Sequence, residues 1–485
     1  MTGDYQMLLG GQRVDGDKGR YVVVNPATEA VVGEAPEASP AQVDAAAQAA
    51  ADAFPAWSRT KPAERAQLLD RLADLFQAQV EEYVPLVQAE TGATQRIAQT
   101  MQVPQAVERF RRYAEGAVES NIIPLAPKEM AATPLAPGSV LGAMVVRQPV
   151  GVVACITPYN FPMVNMAGKI GPALARGNTV VVKPAPQDPL AVLRFGDLVT
   201  EAGFPPGVIN IVAGSGAEAG EALVASPNVD MISFTGSTVV GQRIGQVAGH
   251  GMKRLLLELG GKGAALVFDD ADLKTAIGAI ASVWAFHSGQ ICTAPTRVIA
   301  QRRVVDQLVA GLTQAAAHLP VGDPLDPNTL VGPVISAVQR ERIESLVRLG
   351  ASEGGSVVAG GERPAIERGF YVAPTLIADC KPEMAVVQQE IFGPVVVVVP
   401  FDDEDEGIAV ANSTDYGLND YVFTADSARG VRVARQLRTG SVAINTAQQH
   451  PEAPFGGFKL SGVGRDRGSF GLHAYSELQS IVWPG

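Results

Sequence analysis

The spacing of apolar and polar positions changes character several times along the chain. Through about residue 25 the apolar runs are short and broken by turns, closing at Val24-Asn25-Pro26. Helical spacing follows. Ser39-Pro40 supplies an N-cap and a first-turn proline, Gln42 completes a capping box three positions later, and an alanine-rich run extends to about Ala56. From about Ala63 to Glu90, Leu68, Leu72, Leu75 and Phe76 fall on one face, and Gly92 stops the run. Pro85 is expected to kink or split this helix. A third helix is expected over 97–117.

Residues 120–143 are too rich in proline for a helix and too apolar for a free linker. They fit an excursion whose extended segments pair outside the main body. Beyond it, β-branched runs (Val150–Ile156, Thr179–Val182, Val208–Val212, Met231–Phe234) alternate with helical ones (Met163–Ala175, Leu190–Glu201, Ala217–Ala225, Val240–Val247). Continuous apolar strands between helices predict a parallel sheet covered on both faces, the doubly wound, Rossmann-like pattern of nucleotide-binding domains. A second alternating series runs from about Ala264 to Ala443, and Tyr475–Val482 reads as one more strand.

Composition narrows the class. A chain of 485 residues suggests two to four domains, and 47% hydrophobic against 18% charged residues is globular. Lys+Arg number 38 and Asp+Glu 50, a net charge of −12 without a basic cluster, so nucleic acid and anionic membranes are poor partners. The start, MTGDYQMLLGGQR, has no secretory pattern, and no apolar run approaches the ~20 residues that span a bilayer. A soluble, cytoplasmic protein is expected. Cys155, Cys292 and Cys380 are an odd number, widely separated, which argues against a disulfide framework or a metal site.

Several segments are candidates for chemistry. Phe234-Thr235-Gly236-Ser237-Thr238-Val239-Val240-Gly241 lies between a strand and a helix, where glycines let backbone N–H groups approach a pyrophosphate. Gly214-Ser215-Gly216 with Gly220 is a similar loop, and each is equally readable as a tight turn. Cys155 sits in an apolar run and reads as a core thiol, as does Cys380. Cys292 instead follows a flexible Ser-Gly among polar residues, where a thiolate can be activated. His287, five residues before it, is better read as a surface or supporting group than as its base. Glu258 ends the apolar run Leu255–Leu257 before a double glycine. Burial there would raise its pKa toward that of a general base, and a solvated end-of-strand Glu is the alternative. Asn160, in Thr157-Pro158-Tyr159-Asn160-Phe161-Pro162, carries an NH2 group suited to an oxyanion, or simply forms a turn. Lys183, at a strand end, either binds a ribose or is solvated.

Taken in order, ITPYNFP, KPAPQDP, FTGSTVVG, LELGGK, GQIC, EIFGPV, NSTDYGL and PFGGFKLSGVGR resemble the aldehyde dehydrogenase superfamily over nearly the whole chain, with Cys292 lying 34 residues after Glu258. The resemblance implies that Cys292 attacks the aldehyde, that Asn160 and the Cys292 N–H hold the oxyanion, and that Glu258 activates the water that hydrolyses the thioester. It implies a cofactor site of Ile156, Thr157, Pro158, Tyr159, Lys183, Pro186, Gly216, Phe234, Gly236, Ser237, Leu259, Glu390 and Phe392, and no metal. It further implies an NAD(P)-binding domain (1–121 and 144–258), an α/β catalytic domain (259–465), and a small β arm (122–143 and 466–485) through which homodimers or homotetramers form.

Departures from the family pattern are informative. A Glu common three positions after the lysine in NAD-preferring members is Pro186 here. NAD is expected on family frequency, with NADP open. A position often held by a large aromatic is Gly168, which implies room for a bulky aldehyde between Phe161, Ile291, Thr293 and Phe455. No basic cluster marks a phosphorylated or dicarboxylic substrate, although one arginine placed by the fold would escape that reading. The alternatives are a CoA-acylating semialdehyde dehydrogenase, which characteristically lacks the Glu base, and a catalytically idle binding protein.

Overall fold

The first alternating series folds as a sheet whose parallel strands lie in the spatial order Arg254–Glu258, Met231–Thr235, Val152–Ile156, Thr179–Lys183, Ile209–Ile211. The structure, a computed structural model, describes residues 4–484; Met1–Gly3 and Gly485, the outermost residues of two expected segments, lie outside it. The order of these strands reverses between Val152–Ile156 and Met231–Thr235, and crevices at the carboxyl ends of strands beside such a reversal are where open α/β sheets bind ligands. The central strand Thr179–Lys183 is buried at every position, as its uninterrupted valines require. The antiparallel pair Met7–Leu9 and Gln12–Val14 closes one edge and Gly462–Val463 the other, the latter bringing residues far along the chain back beside Glu258.

The N-terminal helices follow local rules. Helix Pro40–Trp57 opens on the reciprocal capping box, Gln42 N donating to Ser39 Oγ at 3.2 Å and Ser39 N to Gln42 Oε1 at 3.1 Å. The next run does split, but not at Pro85: it divides at Gln79, whose φ of −106° and ψ of 12° leave the helical region. Pro85 lies inside Val80–Thr91, which absorbs the one forfeited bond and continues to the left-handed Gly92 (φ 68°). The third helix begins at Gln95, passes through a π turn over Ala98–Gln102, and runs regularly over Val103–Ala117.

The excursion pairs as expected. Ile122–Met130 and Ser476–Pro484 flank Ser139–Pro149 antiparallel in a three-stranded ribbon. Its central strand continues past residue 143 to Pro149, because Ile122–Met130 pairs with it as far as Val146 and Ser476–Pro484 as far as Pro149. Within 466–485, Gly468–Ala474 is not arm but a helix, docked by the fully buried Leu472 onto the first core.

The second series forms a seven-stranded sheet in the order Ser356–Ala359, Thr375–Ala378, Val395–Phe401, Arg297–Gln301, Ala264–Val267, Asn419–Phe423, Ser441–Ile444, parallel except for the first strand. Separate apolar clusters cover its two faces. Among the described residues no helix is long and apolar enough to cross a membrane.

Candidate active site

Two helices begin at the carboxyl edge of the first sheet with glycine-containing loops. Ser237 caps Thr238–His250, its Oγ accepting from Val240 N at 3.4 Å, and Gly236 N donates to the Glu258 carbonyl at 3.1 Å. Both glycines of this loop are required: a Cβ on Gly236 would overlap the Phe234 ring, and one on Gly241 the Leu259 side chain. Gly216 precedes Ala217–Ala225 and faces open space. Lys183 is buried, donates to the Pro184 and Gly214 carbonyls at 3.2 and 3.3 Å, and has its pKa lowered to about 8 by burial. Thr157 Oγ1 is buried without a partner. Two helix N-termini, a buried amine with a proton to spare and a hydroxyl without a partner among the described residues stand at one sheet edge, a donor set suited to a dinucleotide.

Asn160 follows strand Val152–Ile156, and Cys292 follows a short turn in which His287, Ser288 and Gly289 all have positive φ (52°, 55° and 72°). Such backbone costs roughly 1–3 kcal/mol per non-glycine residue and persists only where surrounding contacts impose it. Here they do: Ser288 Oγ donates to Gly332 O at 2.8 Å, Gln290 Oε1 accepts from Ile335 N at 2.9 Å, and no side chain would fit at Gly289 beside Gly393. The turn is tied directly to Asn160, whose Nδ2 donates to Gln290 O at 2.8 Å while its Oδ1 accepts from Phe161 N at 3.1 Å. One Nδ2 proton is used. The other has no partner among the described residues. Gln102, from the π turn, donates to Asn160 O at 2.9 Å.

Cys292 is partly accessible, but burial, reinforced by the Glu390 and Glu258 carboxylates, pushes its thiol up to about 12. Glu258 is 3% exposed, and among the described residues neither carboxylate oxygen has a hydrogen-bond partner. Desolvation, with Asp466 adding to it, raises its pKa far above the ordinary range. Its Oε1 lies 2.9 Å from where a Cβ on Gly456 would stand, so the glycine makes room for the carboxylate. Glu390 accepts from Gly261 N at 2.9 Å and is raised to about 7 by burial. Phe392 holds a positive φ of 57°, pinned by Gln339 Nε2 on its carbonyl at 2.9 Å, and meets Tyr159 edge to face at 5.8 Å.

The lining residues are less uniform. Phe161 and Phe455 are buried, Ile291 and Thr293 flank Cys292 half-buried, and Ile156, Pro158 and Pro186 are half-buried at the strand ends. The space expected at Gly168 is filled: the Arg109 guanidinium occupies the place where a side chain there would begin. His287 is not a surface group. It is buried, its ring centroid is 5.2 Å from that of Phe161, and burial lowers its pKa to about 4, so it supports the turn as a neutral ring. Glu37, absent from the sequence reading, accepts from Ser215 N at 2.9 Å and holds a negative charge near Lys183. No local signal marks Glu37, Gln102 or Arg109, because each arrives from an element remote in sequence.

Comparison with known proteins agrees with this geometry. The profile described as "Aldehyde dehydrogenase family" matches residues 14–481. An "Aldehyde dehydrogenase, mitochondrial" of Leishmania tarentolae is 39% identical over 98% of this chain and 94% of that protein. A "Betaine aldehyde dehydrogenase" of Cereibacter sphaeroides is 38% identical over 98% of this chain and 96% of its own. The crystal structure of Staphylococcus aureus betaine aldehyde dehydrogenase in complex with NAD+ superposes with a TM-score of 0.93 at 33% identity, covering 99% of this chain and 95% of that one. With the family profile matching residues 14–481 and relatives 38–39% identical over nearly its whole length, the chain belongs to the aldehyde dehydrogenase family.

Proposed function

We propose that this enzyme oxidises an aldehyde to the carboxylic acid on Cys292, with NAD as the acceptor and water as the second nucleophile. The observation that carries the reading is Glu258, a buried carboxylate with both oxygens unpartnered and a strongly raised pKa, in the same site as Cys292 and the Asn160 amide. That carboxylate is what a hydrolytic enzyme needs and a CoA-acylating one does not.

Cys292 Sγ bonds to the aldehyde carbon, the thiol proton leaving to solvent on the accessible side. The developing oxyanion accepts from the free Asn160 Nδ2 proton and the Cys292 N–H. Bound NAD supplies the acceptor for the hydride lost from that carbon, which leaves a thioester on Sγ. Glu258 then takes a proton from water as its oxygen attacks the thioester carbon; the C–S bond breaks, Sγ regains a proton and the acid departs. Gly216, Gly236 and Ser237 would hold the pyrophosphate, Lys183 the adenosine ribose, and Glu390 and Phe392 the nicotinamide ribose and ring, with Ile156, Thr157, Pro158, Tyr159, Pro186, Phe234 and Leu259 completing the walls. Purified enzyme given NAD and a neutral aldehyde without CoA is expected to yield NADH and acid in equal amounts. A strict CoA requirement would assign the acylating alternative, and no NADH from any aldehyde the idle one.

For the choice of cofactor, Glu37 takes over the electrostatic duty that Pro186 lacks. Its charge beside Lys183 and Ser215 N disfavours a 2′-phosphate. Glu37→Gln is expected to raise the ratio of kcat/KM for NADP over NAD by about tenfold, the equivalent of about 1.4 kcal/mol of removed repulsion; an unchanged ratio would return the cofactor choice to other groups.

The ribbon of residues 122–149 and 476–484 supports a homodimer or homotetramer. It leaves Leu478 67% and Trp483 44% exposed and has two open edges, a combination that pairs with another copy. Residues 1–121 and 144–258 as the cofactor domain, 259–465 as the catalytic domain, and the cytoplasm as location complete the proposal; three unpaired cysteines suit a reducing compartment.

A further inference from the structure

Arg109 projects from helix Val103–Ala117 onto Gly168 of helix Pro162–Ala175, and one turn later Tyr113 packs on Gly171, 2.8 Å from where its Cβ would be. The glycines form a seam that admits both side chains. Tyr113 simply fills it. Arg109 carries a charge into it, and its helix neighbours show what is unusual: Arg111 pairs with Asp74, and Arg112 with Glu119 and Glu452, whereas Arg109 makes no ion pair or side-chain hydrogen bond among the described residues.

A second guanidinium lies on the wall of the same site. Arg467 has a positive φ of 68°, lies with Cζ 4.1 Å from the centroid of the Phe455 ring, and donates from Nη1 to the neutral Gln449 Oε1 at 2.6 Å. It too has no carboxylate at ion-pair distance among the described residues; Asp466, next to it, accepts from the Arg467 backbone N–H instead, at 2.7 Å. Phe455 and Asp466 exchange backbone bonds at 2.8 and 2.6 Å, and the following residue, Gly456, faces the Glu258 carboxylate. Arg467 is therefore stacked on the wall of the reaction site. Burial depresses the pKa of Arg467, the Arg109 charge adds to that, and the charges of Asp466, Cys292 and Glu258 oppose it, so these groups share one electrostatic neighbourhood. Lys169, also buried there, is engaged with Ser233 Oγ at 3.2 Å.

Two guanidiniums without an ion pair among the described residues, one entering at Gly168 and the other on the Phe455 ring, leave a place for an anion in a chain of net charge −12. Arginine is suited to that anion, since it stays charged when desolvated and binds a carboxylate through two parallel N–H groups. Resting on the aldehyde-oxidising reading above, we propose that Arg109 and Arg467 form a subsite for a carboxylate on the substrate, and that the enzyme acts on a semialdehyde, an aldehyde bearing a carboxylate at its other end. Gly168 then serves to admit the arginine, not to widen the pocket. The reaction that supplies such a substrate leaves a free acid and an aldehyde on one short chain, and the product is a dicarboxylate.

The test compares succinic semialdehyde with its methyl ester, equal in aldehyde chemistry and different in charge. Wild-type enzyme is expected to favour the acid by more than about tenfold in kcat/KM, mainly through KM. Arg109→Met should reduce that preference by about tenfold or more, and so should Arg467→Gln, which samples the subsite from another element should the first variant fold poorly. An ester that matches or outperforms the acid in the wild type, or a preference that survives both substitutions, overturns the proposal while leaving aldehyde oxidation intact. Failure of both compounds and of simple alkanals to give NADH overturns the underlying reading, and the subsite with it.

Discussion

Cys292→Ala is expected to abolish NAD reduction with every aldehyde, a loss of at least about 10^4-fold in kcat, the scale seen when a covalent nucleophile is removed. Nothing else in the site can take its place: Cys155 is fully buried with its thiol pushed to about 12, and Cys380 is buried in the second core. A second readout separates lost chemistry from lost folding. Iodoacetamide should label wild-type enzyme at Cys292 alone, and faster as pH rises from 7 to 9. The sign follows from the raised thiol pKa of about 12, which keeps the reactive thiolate a minority that grows with each pH increment. A variant that retains native circular dichroism, resists labelling and makes no NADH fits the assignment; one that still turns over at a substantial rate refutes it.

Glu258→Gln is the second large effect and acts on a different step. Glutamine keeps the shape and removes the base, so thioester hydrolysis should slow by about 10^2- to 10^4-fold while the first turnover still delivers NADH. Rapid mixing is expected to show a burst equal to the enzyme concentration followed by a slow steady state. The pH profile adds an independent mark. With its folded pKa raised by burial, Glu258 is protonated at low pH and gains its basic form as pH increases, so the wild-type steady-state rate climbs with pH and the variant loses that rise. Disappearance of the burst would move Glu258 to an earlier step, and an unaltered steady state would hand hydrolysis to another group.

Local patterns are legible in this chain where short-range physics governs them. The Ser39 capping box forms because its two bonds close within one turn, and the valine runs become strands because nothing but a covered parallel sheet accommodates them. The exceptions are instructive. Pro85 is tolerated in Val80–Thr91, and the break falls at Gln79 instead, because one lost hydrogen bond matters less than where the packed helices must change direction. The strand beyond residue 143 keeps going because the C-terminal strand Ser476–Pro484 pairs with it as far as Pro149.

The α/β class and the ordered motifs around Asn160, Lys183, Gly236, Glu258, Cys292 and Glu390, and hence the family, are written in the chain itself, since each motif is a local backbone shape with its own residue requirements. It could not decide what stands opposite those motifs. That Glu258 is left without a partner, that Gln290 ties the Cys292 turn to Asn160, that Glu37 reaches Lys183, and that Arg109 fills the space at Gly168 all depend on elements brought together across tens to hundreds of residues. Burial and charge pairing are properties of the packed molecule. The Gly168 position shows the difference most directly: an absent side chain reads as empty space along the chain, whereas in the fold it is the opening through which a neighbouring helix delivers a cation.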